Sequence, residues 1–84
     1  MPVAFMLFYE QGNEDCIKVM DMLEELNARV IPTDVYDDAN LSLVESWNVC
    51  CVPTIACWPS YNSYVKEQIT KEVILKELSI SKES

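Results

Sequence analysis

The sequence predicts an α/β domain: a four-stranded mixed sheet in the order βαβαββα, with helices on both faces. Three observations predict it. Val3–Phe8 is an unbroken apolar run, the pattern of a strand covered on both faces. A stretch of helical period separates it from a second strand-like run, so these two strands should be parallel and joined by a right-handed crossover. The last two strand-like runs are separated only by Pro59-Ser60-Tyr61-Asn62-Ser63, a turn that suits an antiparallel hairpin.

The elements follow in order. Gln11-Gly12-Asn13 breaks the first strand. Asn13 is placed to cap a helix, and Glu14 and Asp15 then sit at the positive end of its dipole. Ile17, Met20 and Leu23, with Met22 and Leu26, form an apolar face, while Lys18, Asp21, Glu24 and Glu25 face water. This helix should end near Asn27. Arg29–Val35 reads as the second strand, and Pro32, which has no N–H, puts it at an edge. Asp37-Asp38 ends it and starts a helix from Ala39 to about Trp47, with Leu41, Val44 and Trp47 on one face. Val49–Trp58 is a third strand segment, interrupted near its start by Pro53. Tyr64–Gln68 is a short fourth strand. Thr70 caps the last helix, Val73, Ile74 and Leu78 point inward, and Ser81–Ser84 is expected to fray. One domain is expected to span residues 1–84.

Composition narrows the function. Half of the 84 residues are apolar, which is globular composition. Fourteen acidic against six basic residues give a net charge of −8. That disfavours nucleic acid, whose phosphates need a basic surface, and disfavours anionic membrane. It suits solubility, or a basic partner surface. No run reaches the roughly 20 apolar residues of a membrane span. The opening segment has no basic residue before its apolar run and no clear small-residue cleavage site, so it reads as a strand rather than a signal peptide.

The four cysteines, Cys16, Cys50, Cys51 and Cys57, do not resemble a stapling framework. Cys50 and Cys51 are adjacent, and Cys57 lies in an apolar run as a small core residue. Reduced thiols in a cytoplasm are the expectation. With no histidine and no CxxC pair, no metal site of the tetrahedral zinc kind is expected, and no cofactor. Cys16 sits where a helix dipole favours thiolate but Glu14 and Asp15 oppose it, so no strongly depressed pKa is expected.

Two motifs bring a family into view. Val52-Pro53-Thr54 stands after a helix and before an apolar strand, with Trp47-Asn48-Val49 leading into it. Phe8-Tyr9-Glu10-Gln11-Gly12-Asn13-Glu14-Asp15-Cys16 is a strand end, loop and helix start, followed by Leu23-Glu24-Glu25-Leu26. With the element order, these resemble the thioredoxin/glutaredoxin family over about residues 3 to 80. The resemblance implies a cis-proline at Pro53, with Val52, Pro53, Thr54 and Tyr9 as substrate-binding residues and Asn13-Glu14-Asp15-Cys16 as the active-site loop. Counting through the helix puts Cys16 at the second cysteine of the family's Cys-x-x-Cys and Asn13 at the first. The attacking thiol is therefore missing, since an amide cannot attack a disulfide.

The resemblance implies a protein of thiol–disulfide type with a degenerate active site, working at most through one thiol, Cys16 or Cys51. Cys51 lies two residues before Pro53, and a bond from Cys16 to Cys50 or Cys51 is conceivable if their Cα atoms come within about 7 Å. The alternative is a non-catalytic module that binds a protein or peptide through the Val52-Pro53 groove and an acidic surface, with the Trp58–Tyr61 turn as a further wall. Glutathione is not expected: Glu10 and Gln11 precede the loop where a basic residue is wanted, and the turn region has no glycine. The chain is expected to be a monomer or a disulfide-linked dimer.

Overall fold

The computed structural model describes residues 3–83, and side chains over residues 3–80. The elements are β1 (Ala4–Tyr9), α1 (Glu14–Glu25), β2 (Val30–Asp34), α2 (Leu41–Ser46), β3 (Thr54–Trp58), β4 (Ser63–Val65) and α3 (Lys71–Glu83). Single 3₁₀ turns, Asp38–Asn40 and Lys66–Gln68, precede α2 and α3. The strands form one sheet in the order β2-β1-β3-β4. β1 runs parallel to β2, from Phe5 opposite Val30 to Tyr9 opposite Asp34. It runs antiparallel to β3, from Ala4 opposite Trp58 to Phe8 opposite Thr54, and β3 and β4 form the hairpin.

Side chains of a strand alternate between faces, so each strand feeds two layers. Phe5 and Leu7 of β1 and Ile55 and Cys57 of β3 meet Val19 and Leu23 of α1, Ile74 of α3 and the neighbouring Ile69. Met6, Phe8 and Ala56 point the other way, against Leu43, Val44, Trp47, Val49 and Trp58. Trp47 and Trp58 pack edge to face there, with ring centroids 5.3 Å apart. Helices thus cover both faces, α1 and α3 on one and α2 on the other.

The helix ends are set by asparagine. After α1, Asn27 takes φ 55°, its N–H bonds Glu24 O, and Ala28 N–H bonds Leu23 O at 2.9 Å. After α2, Asn48 takes φ 51°, with N–H bonds from Asn48 to Glu45 O and from Val49 to Val44 O. Both are the paired C-terminal closure usually given to glycine, and asparagine tolerates the left-handed conformation best after it.

Several expectations about faces and boundaries need correction. Ile17 is 54% exposed, and Cys16, Val19 and Leu23 are the buried residues of α1. Leu41 is likewise exposed at the start of α2, where Leu43 and Val44 pack instead. The second helix begins as a 3₁₀ turn because the Asp37 side chain accepts from Ala39 N–H and tightens the entry. The third strand starts at Thr54, not Val49, since Asn48 and Pro53 hold the segment between them out of the ladder. The fourth ends at Val65, where Gln68 Oε1 accepts from Val65 N–H and turns the chain. α3 is assigned over Lys71–Glu83, and Ser84 lies outside the described residues.

Candidate functional site

At the end of β1 the chain makes a four-residue turn, closed by Asn13 N–H to Glu10 O at 3.1 Å. Gly12 is its third residue, with φ 83°, a conformation that glycine adopts without a Cβ penalty. Asn13 Oδ1 then accepts from the N–H groups of Asp15 at 2.9 Å and Cys16 at 3.2 Å, so it caps α1. This puts Cys16 in the first helical turn with its side chain directed into the core, 3% exposed.

The Cys16 thiol is held above its ordinary pKa. Burial is the main cause; a hydrogen bond from the Glu10 backbone opposes it, and the charges of Glu10 and Asp15 add to it. Sequence reasoning blamed Glu14 and Asp15 and missed Glu10. Its carboxylate is fixed by Tyr36 OH, which donates to Oε2 at 2.7 Å, and the same bond holds the Tyr36 phenol above its usual pKa.

The second segment reaches the same end of the sheet, because Thr54 opens β3 opposite Phe8 near the end of β1. The Val52–Pro53 peptide is cis, and Pro53 is buried. Pro53 O accepts from Lys66 N–H at 2.9 Å, and Thr54 Oγ1 donates to Cys51 O at 2.7 Å. Cys50 is exposed and Cys51 half-buried, with their sulfurs 4.0 Å apart. Burial raises the Cys51 thiol, as does Cys50, by hydrogen bond and charge; Lys66 lowers it and Glu67 raises it.

Three shallow depressions surround this end. Tyr9, Glu10, Gly12 and Cys16 line one, with Ile17 and Met20. Glu10, Tyr36, Cys50, Cys51 and Val52 line another. Pro53 shares the third with Asp15, Val19, Met22 and Lys66. Glu10 is thus the wall common to the Cys16 and Cys51 sides. Cys16 and Cys51 face different depressions, and all four cysteines are free thiols. One expected neighbour is elsewhere. Trp58–Tyr61 lies at the opposite end, where Trp58 pairs with Ala4. Cys57 is fully buried in the core, its thiol pushed up to about 12 by burial and by the nearby Glu77.

A parallel β1–β2 pair, an antiparallel β1–β3 pair, a capped helix at the end of β1 and a cis-proline facing that helix can be compared with known structures. The thioredoxin from Halobacterium salinarum NRC-1, in a point-mutant form, superposes with a TM-score of 0.73 at 21% identity, over 93% of this chain and 73% of that one. This chain has the thioredoxin fold. A structure described as a malarial protein matches at TM-score 0.70 and 15% identity, over 95% of this chain and 97% of that one. Thioredoxin-2, described as a component of the malaria parasite protein secretion machinery, matches at 0.67 and 15%, over 99% and 84%. No family model and no curated protein matches the chain. Within the thioredoxin fold, this chain carries an amide cap at position 13, a core-directed thiol at 16 and two accessible thiols at 50 and 51.

Proposed function

We propose that the protein is a thiol–disulfide exchange protein of altered thiol usage, in which Cys51 is the reacting sulfur and Asn13-Glu14-Asp15-Cys16 serves as scaffold. The observation that carries this is accessibility joined to place: Cys16 is 3% exposed, Cys50 and Cys51 both border a depression open to solvent, and of these two Cys51 is the one next to Val52. The β1–β3 ladder ends at Thr54, so the Val52 main chain lies beyond it, where an extended peptide can add alongside. Tyr9 and Pro53 flank that place from the two neighbouring depressions.

The step is a single exchange. The Cys51 thiolate attacks one sulfur of a substrate disulfide, an S–S bond to Cys51 forms, and the other substrate sulfur leaves as thiolate. An external low-molecular-weight thiolate then attacks the substrate sulfur of that mixed disulfide; a new S–S bond joins it to the substrate, the Cys51–substrate bond breaks, and Cys51 leaves as thiolate. The reading places the protein in a reducing compartment such as the cytoplasm, acting on a protein or peptide. Among the described residues no helix is long and apolar enough to cross a membrane.

Dithiothreitol-driven insulin reduction tests it. The expected result is turnover above background, lost in Cys51→Ser and kept in Cys16→Ser. Equal turnover in Cys51→Ser overturns the assignment of Cys51. No turnover in the parent chain leaves the second reading, a binding module using the same groove. That reading is favoured by Asn13, which keeps the loop's shape with no chemistry of its own.

A further inference from the structure

We propose that Cys50 and Cys51 together form a two-thiolate chelate for a soft monovalent cation of the Cu(I) kind. This goes beyond the exchange reading and needs no disulfide substrate. The argument starts from the 4.0 Å between the two sulfurs. A disulfide needs about 2.0 Å, half that distance. Two thiolate–metal bonds of about 2.3 Å, the length typical of zinc, meeting at about 120°, separate their sulfurs by about 4.0 Å. The two side chains therefore already stand at the span of one trigonal metal centre, with the third position open to solvent.

The choice of ion follows from the donors. Soft thiolate ligands suit Cu(I), zinc and iron–sulfur clusters, and an iron–sulfur cluster asks for four cysteines. Zinc asks for four ligands, and among the described residues no three cysteine, aspartate or glutamate side chains come together to hold a metal ion. Glu10, a carboxylate in the lining of the depression, is already engaged by the Tyr36 hydroxyl. Two protein thiolates and one thiolate from a small molecule complete a trigonal Cu(I) centre. Charge also favours a cation: Glu10 and Glu67 stand near the pair, Lys66 is the cation nearby, and the whole chain carries −8. On binding, each thiol releases a proton to solvent and two Cu–S bonds form; no electron is transferred, so no oxidant is required.

The test titrates the reduced chain anaerobically with Cu(I) against a chromogenic Cu(I) chelator, with near-ultraviolet absorption reporting thiolate-to-metal charge transfer. One Cu(I) per chain is expected. Cys50→Ser and Cys51→Ser should each weaken binding by about 100-fold or more, because each removes one of two protein ligands. Cys16→Ser and Cys57→Ala should leave it unchanged, with circular dichroism checking that both fold. The proposal is overturned if Cys50→Ser binds like the parent, if Cys16→Ser loses as much affinity as Cys51→Ser, or if the copper complex elutes as a dimer bridged by one cysteine from each chain. Copper binding without insulin reduction would leave the chelate standing and remove the exchange reading; the reverse result would do the opposite.

Discussion

The Asn13 side chain holds two N–H groups of the first helical turn at once, those of Asp15 and Cys16. Removing such a cap costs about 1 kcal/mol, so Asn13→Ala should lower stability by that amount in urea unfolding. Asn13→Cys asks a chemical question instead. It places a sulfur three residues before Cys16, and insulin reduction absent from a Cys51→Ser background should return when this change is added. The same scale decides thiol reactivity. Cys50 is exposed, Cys51 half-buried, and Cys16 and Cys57 buried. In the native chain, iodoacetamide should mark Cys50 first, then Cys51, then Cys16 slowly, with Cys57 modified only on unfolding, as peptide mass spectrometry will read. The alkylation midpoint of Cys16 should lie above the ordinary thiol value, because burial and the charges of Glu10 and Asp15 outweigh the backbone hydrogen bond from Glu10. A midpoint near 6 would contradict this directly.

The β3–β4 hairpin is fastened to α3 by one carboxylate, Glu77, which is 1% exposed. It accepts from Ser60 Oγ, from Asn62 Nδ2 at 2.9 Å and from Tyr64 OH at 2.9 Å. Burial alone would raise its pKa, but these three donors and the nearby Lys76 outweigh burial and hold it below the ordinary carboxylate value. A depressed folded pKa contributes stability that is present above the unfolded value and lost as pH falls through the folded one. Acid should therefore loosen this hairpin, and Glu77→Gln should flatten that limb of the stability curve. At neutral pH the same variant should cost about 1–3 kcal/mol, since an amide cannot accept from all three donors with both of its polar atoms. Little of this was legible in advance. Val73, Ile74 and Leu78 gave the helix its inward face, but a lone glutamate in such a pattern reads as solvent-facing. Ser60, Asn62 and Tyr64 are spread over a turn and a strand, and only the fold brings them to position 77. The element order, the edge position of β2 and the caps at Asn13 and Thr70 were legible, because strand run, proline and capping asparagine each act locally; Val73 N–H does bond Thr70 Oγ1. At the site, the Asn13 cap was legible locally, while Cys16 and Pro53 came into view through the family resemblance. Glu10 was not, because its role depends on Tyr36, 26 residues away.

The molecule as a whole carries −8, and in the described region a single ion pair, Lys71 to Glu25 at 3.1 Å, is formed between exposed side chains. Unbalanced surface charge repels itself, and salt screens it: the Debye length falls from about 30 Å at 0.01 M to about 8 Å at 0.15 M. The thermal midpoint should rise over that range of sodium chloride, as differential scanning calorimetry will show; a fall would mean that attractive pairs dominate. The two sides of the sheet are also unequal. Among the described residues, nine buried ones form the layer between the sheet and α1 and α3, among them Leu23, whose change to alanine should cost about 2–5 kcal/mol. Three form the layer under α2, and α2 itself is only six residues long with none buried. The thinner side is therefore the weak seam of the protein. Its amide protons, over residues 41–46, should trade with deuterium well before those of α1. The segment bearing the paired sulfurs follows directly from that seam, through Trp47 and Val49, so brief local melting there would uncover Cys51, the one of the pair that is still half-buried.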